Sequence, residues 1–201
     1  METLSPLYSS WVSEASYDSE LNMVWYETGD GGATYLAAEI TKDDWEFIYR
    51  VNEFAGQLHQ LSTDFTMETI KHIEKGLLKA KLDGDNLEEY LQDIESEEVK
   101  ESIRKLQNTP ILEELMERAS AREGKVVLHG GLVGTALWCV YILDRRINRG
   151  SLATEQFLND IEQKYPEKYT LEQKKQMYEK YLRTTNQEDR FDFYNILANY
   201  R

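Results

Sequence analysis

The sequence predicts an α+β fold that is predominantly α-helical, with an N-terminal β-hairpin followed by about seven helices packed around a central apolar helix. Three observations carry this expectation. Two runs rich in Val, Trp, Tyr and Leu flank a glycine-dense connection near the N-terminus. Apolar residues recur every three and four positions behind helix-capping residues through most of the remaining chain. One stretch of eighteen residues, Val126 to Leu143, carries no formal charge. At 201 residues, with 41% hydrophobic residues and three prolines, the chain is long and apolar enough to bury a core.

After an irregular start, Leu21 to Glu27 and Ala33 to Glu39 read as the strands of the hairpin. They are joined through Thr28-Gly29-Asp30-Gly31-Gly32, whose glycines tolerate the positive φ of tight connections. Thr41 is placed as the N-cap of a helix over Lys42 to Gln60, with Asp43 and Asp44 in its first turn. Trp45, Ile48, Val51, Ala55 and Leu58 form its apolar face, and Trp45 is expected to pack on the hairpin. Thr66 caps a second helix with the stripe Ile70, Ile73, Leu77 and Leu78, ended at Asp83-Gly84-Asp85. Asp85 with Glu88 resembles a capping box for a segment carrying Leu87, Leu91 and Ile94, and Ser96 restarts or kinks that helix ahead of Val99, Ile103 and Leu106.

Thr109-Pro110 is an N-cap followed by proline at the first helical position, and predicts a helix over Ile111 to Arg122 with Gly124 as its stop. Val126 to Leu143 is short for a membrane span and contains His129, Gly130, Gly131 and Gly134, so it is expected to be a buried central helix. Three shorter helical patterns complete the chain. They are Leu152 to Lys164, Leu171 to Arg183 capped by Thr170 with Gln173 at the box position, and a last one capped by Asn186. The chain divides by charge into 1–64 (hairpin plus helix), 65–124 (helical) and 125–201 (helical, containing the apolar helix), all three compatible with one domain.

Charge narrows the function classes. Residues 1–64 hold 12 acidic and 2 basic side chains, residues 65–124 hold 15 and 9, and residues 125–201 hold 10 and 12, giving a net charge of −14. Such a surface repels nucleic acid and anionic membrane, whose binding needs Lys and Arg at the phosphates. It attracts basic partners, with steering that is effective over about 10 Å at physiological salt. One cysteine, Cys139, allows no internal disulfide and no multi-cysteine zinc site, and the N-terminus carries no basic and apolar leader pattern. The expected location is therefore cytoplasmic.

Local motifs for chemistry are weak. His129-Gly130-Gly131-Leu132-Val133-Gly134-Thr135 precedes a helical run, and such a turn cradles phosphate on backbone N–H groups. It lacks the G-x-G-x-x-G spacing and a following Lys-Ser/Thr pair, so close helix packing competes with a small nucleotide-using enzyme as its explanation. His59, His72 and His129 show no HExxH arrangement, and Glu68 with His72 is an ordinary surface pair, so no metal is expected. Asp83-Gly84-Asp85-Asn86 looks like the start of a calcium loop, but Ile94 stands where an EF-hand needs its closing Glu. Cys139 in an apolar segment reads as packing. No cofactor and no enzymatic activity are expected.

There remains the mixture of aromatics and carboxylates at the N-terminus. Glu14, Asp18, Glu20, Trp25, Glu27, Asp30, Asp43, Asp44 and Glu46 form the expected partner-binding set. The expected role is an acidic protein–protein interaction module that occupies, and inhibits, a basic nucleic-acid-binding protein, while the remainder serves as scaffold, including a dimer-forming one. In size and charge the chain resembles the small acidic inhibitors encoded by phages and other mobile elements, including anti-CRISPR and anti-restriction proteins. An immunity or antitoxin protein that neutralises a basic toxin is expected on the same charge logic, and solubility alone is the plainest explanation of the acidity.

Overall fold

The computed structural model of the chain describes residues 2–20, 22–28, 34–38, 40–121, 130–140 and 146–147, together with Glu167, Thr170, Glu172, Gln173 and Gln176. An antiparallel sheet in the order β1-β2-β3-β4-β5 opens it. Its body is β2 (Val12–Asp18), β3 (Met23–Thr28) and β4 (Thr34–Ala38), with the two-residue strands β1 (Glu2–Thr3) and β5 (Arg146–Ile147) at the edges. The expected hairpin is β3 with β4, in a register that sets Tyr26 opposite Tyr35 and Trp25 opposite Leu36. Gly29 to Gly32 lie outside the described residues.

The irregular start is corrected to strand. A β-bulge at Ser13 explains why the pattern is hidden: Val12 pairs with Thr28 and Glu14 with Glu27, leaving Ser13 as the extra residue. Val12 and Ala15 are both buried although three positions apart, because the bulge shifts the alternation by one. Ala15 and Tyr17 then meet Tyr26 and Val24 across the strands, and all four are buried.

α1 (Lys42–His59) begins as the sequence predicts. Thr41 accepts from the Asp44 N–H and the Asp44 carboxylate accepts from the Thr41 N–H, a complete capping box. Trp45 packs on the N-terminal strands. Its ring stacks on Tyr17 of β2 at 5.5 Å, and its indole N–H donates to Glu2 of β1 at 2.9 Å. Strands β1 and β2, unseen in the sequence, supply this platform.

α2 (Met67–Leu82) is capped by Thr66 and buries Ile70, Ile73, Leu77 and Leu78. The following segment differs from expectation. It is a single 3-10 turn, Leu87–Tyr90, capped by Asn86, while the Asp85 carboxylate accepts from the Tyr90 hydroxyl at 2.9 Å. Asp85 is thereby drawn away from capping, yet Leu87, Leu91 and Ile94 are buried as their spacing requires. Gly84, at φ +73°, makes the bend after α2, so this stretch is turn plus cap. α3 (Glu97–Leu106) starts at Ser96, whose hydroxyl accepts from the Val99 N–H. α4 (Pro110–Ala121) starts at the proline. The Thr109 carbonyl accepts the first helical bond, and its hydroxyl donates back to the Leu106 carbonyl instead of capping forward.

α5 (Gly131–Val140) is the described part of the expected apolar helix and lies against α1, α2 and α4, while residues 126–129 and 141–143 lie outside the described residues. Leu132 through Trp138 and Val140 are buried, so the helix is covered on every side. One hydrophobic cluster runs from Leu4 to Val140 and draws on all three charge segments. Five α-helices and the 3-10 turn stand among the described residues, and a count of seven is not supported. The Thr170 box forms, Thr170 and Gln173 each accepting from the other's N–H, with Glu172, Gln173 and Gln176 helical. The other two C-terminal patterns lie outside the described residues. Among the described residues no helix is long and apolar enough to cross a membrane.

Candidate functional site

The acidic N-terminal residues divide by what the fold asks of them. Asp18 is buried at the end of β2, where its carboxylate accepts from the Glu20 N–H at 2.9 Å and shapes the turn. Asp44 completes the α1 capping box and pairs with Arg118 of α4 at 3.1 Å. These two are structural residues, which the sequence pattern does not distinguish from their neighbours. Glu14, Glu20, Asp43 and Glu46 are exposed, and Glu27 is half-buried. Trp25 occupies β3 opposite Ser16. Asp30 lies outside the described residues.

Both basic residues of this region are engaged internally. Lys42 pairs with Glu46 one turn along α1 at 3.8 Å. Arg50 grips Glu114 of α4 with two N–H groups, at 2.7 and 3.1 Å. Arg118 reaches Glu114 and Asp44 while its guanidinium lies 4.1 Å from the centre of the Phe47 ring. The Arg50 hydrogen bonds hold the Glu114 carboxyl below its ordinary range and raise Arg50 in turn. A second clamp ties the 3-10 turn to α3. Arg104 donates to both oxygens of Glu88, at 2.7 and 3.0 Å, and to Glu97 and Glu101, which keeps the Glu88 carboxyl low.

The glycine-rich turn ahead of α5 holds a carboxylate, and it is the protein's own. Glu74 of α2 is 1% exposed. One oxygen accepts from the Leu132 N–H at 2.6 Å and the other is 3.1 Å from His59 Nε2 at the end of α1. A negative group at a helix N-terminus satisfies an open N–H and meets the positive end of the helix dipole. Gly130 and Gly131 have φ of +59° and +77°, and a Cβ on Gly131 would overlap the Glu74 carboxylate. The backbone N–H that the sequence offers to a phosphate is thus committed to an internal side chain. Sequence reasoning missed Glu74, although a carboxylate inside the stripe Ile70, Ile73, Leu77 was a readable signal. His72 rests against Tyr90, with ring centres 4.9 Å apart, and Glu68 is exposed.

A groove runs along the outer face of α1. The segment Ser5 to Tyr8 forms one wall, with the Tyr8 N–H donating to Asn52 Oδ1, Asn52 Nδ2 to the Pro6 carbonyl and Gln60 Nε2 to the Tyr8 hydroxyl. Gly56 lets the Tyr8 ring lie on the helix, since a Cβ there would come within 2.7 Å of it. The volume is about 420 Å³. Among the described residues no group of three or more His, Cys, Asp or Glu side chains is placed to hold a metal.

Compared with protein-family models, with curated proteins and with solved structures, the chain gives no match to any of them.

Proposed function

We propose that this chain is an acidic interaction module whose N-terminal sheet and first helix bind, and thereby block, a basic protein that handles nucleic acid. The observation that carries the reading is the pairing of Glu14 with Glu27, two carboxylates directly opposite each other on neighbouring strands. Like charges in that position disfavour a sheet, and a cation brought by a partner would relieve them. The engagement of Lys42 and Arg50 within the fold reinforces it, because among the described residues exposed Glu14, Glu20, Asp43 and Glu46 have one ion pair, that of Glu46 with Lys42. A partner that presents Lys and Arg to phosphates would present them equally to this face. The resemblance in size and charge to the small acidic inhibitors of phages points the same way.

The test is capture by the immobilised full chain from a lysate at low and at high salt, with the captured proteins identified and their nucleic-acid binding measured with and without the chain. A basic partner released by salt, displaced from nucleic acid by the chain and lost on combining Glu14→Lys with Asp43→Lys, is the expected result. Capture that charge reversal leaves unchanged would overturn the proposal.

A further inference from the structure

We infer that the groove on α1 is the socket for an arginine side chain of that basic partner, an inference that rests on the interaction reading above. Tyr49 and Glu53 lie one turn apart on the same helix face, so a ring and a carboxylate stand side by side at the groove. Tyr49 is 49% exposed, one of two large hydrophobic residues so open among those described. Glu53 is exposed and makes no ion pair with a described residue. No lysine or arginine is among the described residues that line the groove. The two cations on α1 are spoken for, since Arg50, next to Tyr49 in the chain, is held by Glu114 and Lys42 by Glu46.

The remaining lining favours the same occupant. Asn52 has both the oxygen and the nitrogen of its amide committed to the Pro6–Tyr8 wall, which fixes that wall, and Gln57 adds an exposed amide. A guanidinium is planar, stacks on an aromatic face and gives a carboxylate two parallel N–H donors. Tyr49 and Glu53 offer those two surfaces, and about 420 Å³ is room for one long side chain. An ammonium would find the carboxylate but lose the stacking and the fork, so arginine is preferred over lysine.

The probe is N-acetyl-arginine amide, titrated into the full chain while backbone amide resonances are followed. N-acetyl-citrulline amide, of like shape but uncharged, and N-acetyl-lysine amide are the controls. Saturable shifts at Asn52, Glu53, Gly56 and Gln57 with the arginine compound, absent with citrulline and weaker with lysine, are expected. Glu53→Gln and Tyr49→Ala should each weaken binding about tenfold, with Tyr49→Phe close to wild type. Absence of saturable shifts overturns the inference, as does binding that Glu53→Gln leaves unchanged. The two readings fail separately. A salt-sensitive basic partner captured equally by wild type and Glu53→Gln removes the socket and leaves the interaction module. Arginine binding in the groove without any basic partner removes the module, and with it the partner's arginine as occupant, and leaves a guanidinium site.

Discussion

Replacing Glu74 by alanine removes a side chain of α2 that reaches both α1 and α5. The carboxylate is 1% exposed and serves two groups, the Leu132 N–H at 2.6 Å and His59 Nε2 at 3.1 Å. Hydrogen bonds to a charged group contribute about 1.5–3 kcal/mol each, and a helix cap about 0.5–2 kcal/mol. The Leu132 bond is counted under both headings, and water reaches the His59 side chain, which is 12% exposed, so the second loss is softened. The expected cost is therefore about 3–4 kcal/mol, a large part of the 5–15 kcal/mol that typically stabilises a domain. Urea unfolding followed by tryptophan fluorescence reads this as a fall in midpoint of about 1.5–2 M at a slope of about 2 kcal/mol per M. Glu74→Gln keeps an acceptor for the Leu132 N–H and should lose less than half as much. A loss under about 1 kcal/mol for the alanine variant, or equal losses for alanine and glutamine, would refute the assignment of a charged internal cap to α5.

Two further outcomes concern the core and the α1–α4 clamp. Leu137 on α5 is 1% exposed, so Leu137→Ala should cost roughly 2–5 kcal/mol in the same unfolding assay, and a loss well under 1 kcal/mol would contradict the central position of the helix. Arg50 holds the Glu114 carboxyl below its ordinary value of 4.5. A carboxyl whose folded pKa is depressed contributes stability that is present above its unfolded pKa and lost as pH falls through the folded one. The melting temperature of wild type should exceed that of Arg50→Gln near neutral pH, and the gap should narrow as pH drops below about 4.5. A gap that stays constant down to low pH would place the effect of Arg50 outside this ion pair.

The features that local chemistry specifies were readable in the chain. Thr41 with Asp44, Thr66, Ser96, Pro110 and Thr170 with Gln173 set helix starts through contacts spanning three or four residues, and the sequence alone contains every partner involved. The uncharged stretch around α5 likewise determined a helix buried on all sides. Where several nearby partners compete or a strand breaks its alternation, the local pattern pointed elsewhere. Asp85 was drawn from capping by Tyr90, and the bulge at Ser13 concealed β2 by breaking its alternation.

The candidate sites show the same division. The negative balance of residues 1–64 is a property of composition and needed no fold. Which carboxylates remain at the surface depended on tertiary partners. Asp44 meets Arg118, 74 positions away, and Glu74 meets Leu132 across 58. The groove, too, exists only because residues 5–8 fold back onto α1 over Gly56. Composition and spacing thus determined the charge, the helix starts and the apolar centre, whereas the packing of distant segments decided which acidic groups are structural and which stay exposed.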